Sequence, residues 1–142
     1  MIIQFFVSGI PKAQPRVKFA RRGAFSKAYT PDTANDWKSL VMEEAKRNCT
    51  QKLTGPVAVS LTFYFPRPKS HFNSKGVLKP GAPVYHTTKP DRDNLDKCVL
   101  DALTSIGAWD DDCQVCAGEI RKLYYHDGGL LGCSVVITQL SE

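Results

Sequence analysis

The sequence predicts an α+β fold in which two main α-helices cover one face of a four-stranded mixed β-sheet. Two observations lead to this prediction. Four stretches are rich in β-forming residues with alternating polarity, and two others carry apolar residues at the three- and four-residue spacing of helices. A third observation concerns size, because 142 residues with 42% hydrophobic content suit a single domain, residues 1–142, with one core.

The N-terminal half predicts a strand, a basic loop, a helix and a second strand. The strand covers residues 2–9, and residues 10–30 form a long basic loop with a small hairpin around Arg22-Gly23. Thr30 and Pro31 are typical of a helix cap and a first helical position. The apolar residues that continue this helix to about position 47 are Trp37, Leu40, Val41 and Ala45. The clearest strand follows at residues 56–65.

The C-terminal half begins with a second long basic loop at residues 66–88. A helix is predicted from Asp93 to about Ile106, with Gly107 as its stop signal. Its apolar face consists of Leu95, Val99, Ala102, Leu103 and Ile106. Strands at residues 114–125 and 130–140 then flank the turn signal Asp127-Gly128-Gly129, which predicts that these two strands form a hairpin.

The composition argues against secreted and membrane classes. No run of about 18 apolar residues is present, which argues against a transmembrane helix. The N-terminal stretch lacks the basic region and small-residue cleavage site of a signal peptide. Five cysteines are an odd number at irregular spacing, which argues against a disulfide framework and favours a reducing, cytoplasmic setting.

The charge is divided between the two parts of the chain. Residues 1–90 contain 15 basic and 4 acidic residues, whereas residues 91–142 contain 4 basic and 10 acidic ones. A basic part is in many proteins only a solvated surface. Here the basic residues lie in turn-rich segments, which favours contact with nucleic acid about as much as solvation.

Seven of the 14 acidic residues lie between Asp91 and Asp112. Crowded carboxylates repel, and a fold tolerates them mainly when they hold a cation. If Asp91 and Asp93 are in extended geometry up to the helix start, they point to the same side. Lys97 follows Asp93 by one helical turn and can reach a phosphate group. This pattern predicts a magnesium-assisted phosphodiester hydrolase, with Mn²⁺ as a substitute ion.

Ordinary structural roles explain the same residues from spacing alone. Asp93 with Asp96 resembles helix N-terminal capping, residues 110–112 resemble a polar turn, and Lys97 with Asp101 resembles a surface pair. Cys113 and Cys116 are interpreted as ordinary semi-buried cysteines rather than as a zinc or redox site. His71 and His86 are interpreted as solvated loop residues, with phosphate contact as the alternative.

The segment from Lys89 to Val115 closely resembles the RusA family of Holliday junction resolvases. The shared pattern is Asp-x-Asp-Asn-Leu-x-Lys, then Asp-Ala-Leu, then Asp-Asp-x-Gln-Val. It begins here at Asp91 and ends at Val115. The residues Gln114-Val115 fix the register, so Asp111 and Asp112 match the Asp-Asp pair and Asp110 falls outside it. Weaker resemblance extends to residues 9–16 and 66–71.

This resemblance implies a RusA-like fold and a homodimeric endonuclease that cuts four-way DNA junctions. It implies that Asp91, Asp93 and Asp112 hold the metal ion and that Lys97 assists catalysis. Asp111 is expected to support Asp112 or to bind a second ion. The residues expected to contact DNA lie in the two basic loops and are Lys12, Arg16, Lys18, Arg21, Arg22, Lys27, Arg67 and Lys69.

Overall fold

The computed structural model describes residues 1–15, 18–22, 25–29, 33–126 and 128–141. The strands are β1 (Ile2–Ser8), β2 (Lys18–Arg22), β3 (Phe25–Tyr29), β4 (Val57–Phe65), β5 (Val115–Ala117), β6 (Ile120–Tyr124) and β7 (Gly132–Gln139), and the helices are α1 (Asn35–Asn48) and α2 (Arg92–Ser105). The α+β prediction is therefore confirmed. The main sheet has five strands rather than four, and β2 and β3 form a separate two-stranded sheet.

The central strand β4 explains how the sheet is built. Its residues alternate strictly between buried and half-buried, with five apolar side chains pointing into the core. β4 pairs antiparallel with β7 along one side and parallel with β5 and β6 along the other. β7 also pairs antiparallel with β1, so the order is β1–β7–β4–β5, with β6 beside β4 as well.

The predicted hairpin between the last two strands is wrong, because β6 and β7 lie on opposite sides of β4. The chain leaves β6 beside the end of β4, where the backbone N–H of Tyr125 donates to the carbonyl of Phe65 at 2.9 Å. A seven-residue connection is long enough to cross one strand, since neighbouring strands lie about 5 Å apart. β6 and β7 thereby each form hydrogen bonds to the long central strand β4 instead of to one another.

The predicted strand at residues 114–125 is interrupted at Gly118 and Glu119. Gly118 has φ +130°, and a Cβ atom there would lie 1.8 Å from the carbonyl oxygen of Val59. The pairing with β4 shifts by one residue before this interruption, between Val115 and Ala117, as an extra residue in a strand does. Ile120 and Tyr124 pack against the core.

Both helices bury their apolar stripes against the sheet and against each other. Leu95, Val99, Ala102 and Leu103 of α2 are buried as predicted, and Ile106 packs at the edge of the core. In α1, Trp37, Val41 and Ala45 are buried, whereas Leu40 is 40% exposed, contrary to its predicted place on the buried face. The buried hydrophobic residues form one cluster.

The first basic loop contains the predicted hairpin, with Lys18 opposite Tyr29 and Arg22 opposite Phe25. The predicted helix start at Thr30 and Pro31 lies outside the described residues, and α1 begins at Asn35. In the described part of the chain, no helix is long and apolar enough to cross a bilayer.

Candidate active site

The first acidic residue of the site, Asp91, lies at the N-cap position of α2 in an extended conformation. Its side chain does not cap the helix. Instead both carboxylate oxygens accept hydrogen bonds from Nζ of Lys89, at 2.9 and 3.0 Å. The capping interpretation placed the cap at Asp93 and is therefore wrong in position. The carboxylate of Asp91, the residue at the true cap position, bonds to Lys89 and does not cap the helix.

Asp93 lies inside the first turn of α2 and is exposed. The helix begins at Arg92, one residue earlier than predicted, so the alternation of an extended chain does not set the direction of Asp93. Four-residue spacing instead places Asp93, Lys97 and Asp101 along one stripe of α2. Nζ of Lys97 lies 3.5 Å from Oδ1 of Asp101, so the predicted surface pair exists.

Asp112 begins a short 3₁₀ turn, Asp112–Gln114, which we call the 112–114 turn. Asp111 is its cap, and the Asp111 carboxylate accepts a hydrogen bond from the backbone N–H of Cys113 at 3.3 Å. That bond, followed by a hydrogen bond to Asp112, lowers the pKa of Asp111. The bond between the two carboxyl groups has the opposite effect on Asp112 and, with burial and the Asp111 charge, raises its pKa.

The 112–114 turn contacts α2, and this contact brings Asp112 to the Asp93–Asp101 stripe. Lys97 lowers the pKa of Asp112, whereas Asp101 raises it. Burial and then the charge of Asp112 raise the pKa of Asp96. Sequence reasoning had treated Asp96 only as part of a cap. Asp96 follows Asp93 by three residues, which places both on the same side of a helix. This spacing is the sequence signal that could have identified Asp96 as part of the acidic site.

The donor set fits a hard divalent cation in its chemistry. Magnesium prefers oxygen ligands, and the candidate ligands Asp91, Asp93 and Asp112 supply only carboxylate oxygens. The charge of Asp112 raises the pKa of Asp96, and a bound cation would relieve this repulsion. As the side chains are placed, no three His, Cys, Asp or Glu residues in the described ranges are grouped as metal ligands.

Lys122 is a second basic residue near the site that sequence reasoning missed. Its side chain extends from β6, and Nζ donates a 2.7 Å hydrogen bond to the carbonyl of Thr88. Burial lowers the pKa of Lys122, and the charge of Asp91 opposes that shift. Lys122 thus fastens the chain just before Asp91 and faces its carboxylate. Sequence reasoning missed it because its bond joins β6 to a loop residue 34 positions earlier in the chain.

Asp110 is separate from the Asp111–Asp112 pair, as the motif register predicts. Its carboxylate forms an ion pair with Nζ of Lys52, and both side chains are largely exposed. The preceding Trp109 is buried, and its indole N–H donates to Oγ1 of Thr104 at 2.7 Å. The carboxylate of Asp110 therefore lies on the surface beside the C-terminal end of α2.

The first basic loop approaches the site through its backbone. The N–H of Gln14 donates to the carbonyl of Asn94 at 2.9 Å, which places residues 12–15 beside the first turn of α2. Lys12 is exposed. Arg16 lies outside the described residues, as do the side chains of Lys18, Arg21, Arg22 and Lys27.

The second basic loop is held together by Arg67. Its Nε donates to the carbonyl of Tyr125 at 2.9 Å, one terminal nitrogen donates to the carbonyl of Pro83 at 2.6 Å, and the guanidinium lies 5.3 Å from the centre of the Tyr124 ring. These contacts occupy much of its hydrogen-bonding capacity within the protein. Lys69, in contrast, is exposed.

The interpretation of His86 as a solvated loop residue is wrong. The ring is 9% exposed and stacks on Phe65 with 4.1 Å between the ring centres. Burial, together with the charge of Lys122, lowers the pKa of His86. His71 is half-buried, and its ring meets Tyr124 edge-on. Both histidines therefore help to pack the second basic loop onto the sheet.

Cys113 and Cys116 are free and exposed, which contradicts the expected semi-buried setting. Cys113 lies in the 112–114 turn, and Cys116 lies in the short strand β5 at the margin of the sheet. The thiol of Cys116 donates to the carbonyl of Gln114 at 3.2 Å. Neither cysteine belongs to a group of metal-ligating side chains within the described ranges.

A family model described as "Endodeoxyribonuclease RusA" matches residues 8–131. The chain belongs to the RusA family. The match includes both acidic motifs and both basic loops. The chain is also 35% identical over 131 residues to the uncharacterized protein YqaN of Bacillus subtilis strain 168, a match that covers 86% of this chain and 87% of that protein.

The RusA family motifs now have positions in the fold. Asp-x-Asp-Asn-Leu-x-Lys spans the cap and first two turns of α2, and Leu95 within it is fully buried beneath the acidic stripe. Asp-Asp-x-Gln-Val forms the 112–114 turn, its cap and the start of β5. The two motifs meet because α2 contacts that turn.

Proposed function

We propose that this chain is a Mg²⁺-dependent endonuclease that resolves four-way DNA junctions by paired nicks, in the cytoplasm of a bacterial or phage-infected cell. The observation that supports it best is the meeting of two acidic elements at one lysine. Asp112 on the 112–114 turn faces Lys97, whose helix also carries Asp93. In a member of the RusA family, this arrangement suits hydrolysis of a phosphodiester.

Asp91, Asp93 and Asp112 would hold Mg²⁺, or Mn²⁺ in its place. When bound, the ion would lower the pKa of a water molecule and neutralise charge on the phosphate. Asp111 would hold the Asp112 carboxyl through their mutual hydrogen bond or bind a second ion. Lys97 would stabilise negative charge as it develops near the scissile phosphate. Lys122 would keep Asp91 in position through its bond to the Thr88 carbonyl.

The basic loops would hold the DNA arms through phosphate contacts, which position a duplex without reading its sequence. The proposed contacts in the first loop are Lys12, Arg16, Lys18, Arg21, Arg22 and Lys27. In the second loop Lys69 is exposed and free to contact phosphate, whereas Arg67 is engaged with the backbone of the protein. We therefore assign Arg67 the weaker part in binding.

A homodimer would match the two-fold symmetry of the junction and supply one site for each strand. The edge of β1 is the surface that we propose for this dimer. The bonds from Gly9 N–H to the Leu131 carbonyl and from Gln139 N–H to the Met1 carbonyl show which residues of β1 bond to β7. They are the odd-numbered residues, so the even-numbered ones direct their backbone groups outward.

This edge lacks the features that usually prevent strand pairing. Ile2–Ser8 contains no charged residue and no proline. Within the described residues, the outward backbone groups of β1 have no hydrogen-bond partner. An antiparallel pair of identical strands is self-complementary, as a two-fold interface must be. A second copy of this chain is therefore the partner that fits the edge.

Cleavage of a labelled mobile four-way junction, a flap and a linear duplex, with and without Mg²⁺, tests the proposed function. We expect paired nicks in the junction alone and only with the metal. Preferred cutting of the flap or of an RNA hybrid would indicate the same chemistry on another branched nucleic acid. Tight binding without nicking of any substrate would indicate a non-catalytic DNA-binding protein whose acidic cluster is structural.

A further inference from the structure

The side-chain amide of Gln114 uses all of its hydrogen-bonding capacity. Its Oε1 accepts from the backbone N–H groups of Asp110 at 2.9 Å and Asp111 at 3.3 Å. Its Nε2 donates to the carbonyls of Leu53 at 3.2 Å and Gly55 at 2.9 Å. A primary amide offers two donors and two acceptor sites, and here each has a partner.

These four bonds connect two segments that are distant in sequence. One is the chain just before β4, where Leu53 is 2% exposed and anchored in the core. The backbone N–H of Leu53 also donates to the Ala108 carbonyl at 2.8 Å. The other is the 112–114 turn, held at its cap residue Asp111 and at Gln114 itself. The amide thus fixes the backbone on both sides of Asp112.

We propose that Gln114 is a positioning residue that holds Asp112 against α2 for metal binding, an inference that rests on the proposed function. Asp112 faces the like charges of Asp96 and Asp101, which push the turn away from the helix. Residues that orient a metal ligand through hydrogen bonds typically account for about 10–100-fold in metal affinity. Gln114 would supply this restraint through the backbone.

The test variant is Gln114→Glu, which keeps the shape but turns a carboxylate oxygen toward the carbonyls of Leu53 and Gly55. The chain offers a matched control in Gln139, whose Nε2 donates to the carbonyl of Thr54 at 3.0 Å. Gln139→Glu removes an amide donor from the same segment without touching the 112–114 turn. Gln114→Met, which removes the bonds without adding charge, serves if the carboxylate variant does not fold.

Two measurements need no cleavage. In metal-free protein, hydrogen exchange of the backbone amides at positions 110–114 should be about tenfold faster in Gln114→Glu, because the turn opens more readily. The midpoint of Mn²⁺ binding, followed by the electron paramagnetic resonance of free Mn²⁺, should rise about 10–100-fold. Gln139→Glu should leave both values near wild type. Single-turnover junction cutting by Gln114→Glu should recover at saturating metal, since Asp112 itself is intact.

Wild-type exchange and a wild-type Mn²⁺ midpoint in both Gln114 variants would overturn the positioning role. An equal rise of the midpoint in Gln139→Glu would also overturn it, because general loosening of the segment would then explain the effect. A wild-type protein that binds no Mn²⁺ contradicts the proposed function and the metal-positioning role together. Exchange in the metal-free protein distinguishes that outcome from a failure of Gln114 to hold the turn.

Discussion

Lys97 and Asp101 form an ion pair across one turn of α2, with 3.5 Å between Nζ and Oδ1. The lysine side chain is 60% exposed, so this pair alone contributes little stability. Lys97 also faces Asp112 on a different element and lowers the pKa of that carboxyl. Lys97 therefore lies between the carboxylates of Asp101 and Asp112. This position fits a role at a reacting phosphate better than it fits a simple surface ion pair.

The first prediction concerns Lys97→Ala. If Lys97 acts on the transition state, single-turnover cutting of a saturated junction should slow by orders of magnitude while junction affinity and Mg²⁺ dependence remain nearly unchanged. Lys97→Arg should restore little activity, since a planar guanidinium does not replace a compact ammonium. Thermal melting of each variant is measured in parallel.

The matched control is Arg47→Ala, which removes an exposed ion pair with Glu44 at 2.9 Å on α1. A surface pair of this kind contributes about 0.5 kcal/mol or less. The control should melt slightly earlier and cut at the wild-type rate. Full-rate cutting by Lys97→Ala would remove the lysine from the mechanism and leave it as a partner of Asp101.

The second prediction concerns the salt dependence of junction binding. Each phosphate contact that is lost should reduce the slope of log affinity against log salt by about 1. Neutralising Arg16, Arg21 and Arg22 together should therefore weaken binding at low salt and flatten the slope by about 2–3. Titrations at several salt concentrations measure both quantities.

The charge-matched control neutralises Lys38, Lys46 and Arg47 on α1, which we place outside the DNA surface. It changes net charge by the same amount and should alter the slope little. Equal effects from the two triple variants would mean that overall charge, and not the first basic loop, determines DNA binding.

The third prediction concerns the break between β5 and β6. Gly118→Ala would bring a Cβ atom to 1.8 Å from the Val59 carbonyl oxygen, which neither backbone can relieve easily. We expect a loss of about 3 kcal/mol or more in the free energy of unfolding. Gly76 also has a positive φ, at +77° rather than +130°, but no atom lies within 4 Å of its Cβ position. Gly76→Ala should therefore cost about 1–2 kcal/mol.

Urea unfolding of both variants makes this comparison. Equal losses would mean that backbone conformation alone, without the close contact to Val59, explains the need for Gly118. The comparison matters for the site because β6, which carries Lys122 and its bond to Thr88, follows this break.

The sequence predicted the elements of the fold because their patterns are local. The strict alternation of β4 and the apolar stripe of α2 each lie within one element, and both agree with the structure. Which strands pair is decided over longer distances. The turn signal at Asp127-Gly128-Gly129 identified a reversal of the chain correctly. Yet β6 and β7 both pair with β4, which lies about 60 residues before β6 and about 75 residues before β7.

The site shows the same division. Asp91, Asp93, Lys97 and Asp112 followed from motif spacing and the family resemblance. Asp96, Lys122 and Gln114 did not, because the contacts that make them candidates join different elements. Lys122 meets Asp91 across a strand and a loop, and Gln114 reaches residues 53 and 55 before β4. No periodicity within the sequence encodes those distances.

The fourth prediction tests the dimer surface. Gln4→Pro removes an outward N–H from β1 without removing a bond to β7. Sedimentation should show a wild-type dimer at micromolar concentration and a folded monomer for Gln4→Pro. Gln4→Thr, which keeps the N–H, should remain dimeric. A Gln4→Pro dimer with wild-type affinity would exclude pairing through the edge of β1.

The fifth prediction concerns the metal ligands themselves, and it uses two aspartates in the same acidic segment. Asp93→Asn keeps the size of a proposed metal ligand and removes its charge. Asp110→Asn makes the same change in a residue that pairs with Lys52 and lies outside the Asp111–Asp112 pair. Junction binding should persist in both variants, since loss of a negative charge near phosphates reduces repulsion.

Single-turnover cutting of a four-way junction at saturating Mg²⁺ by these two variants and the wild type tests the central claim most directly. We predict rapid paired nicking by the wild type and by Asp110→Asn, and a rate lower by orders of magnitude for Asp93→Asn. Cutting by Asp93→Asn at the wild-type rate would contradict the assignment of the metal site to α2 and the 112–114 turn.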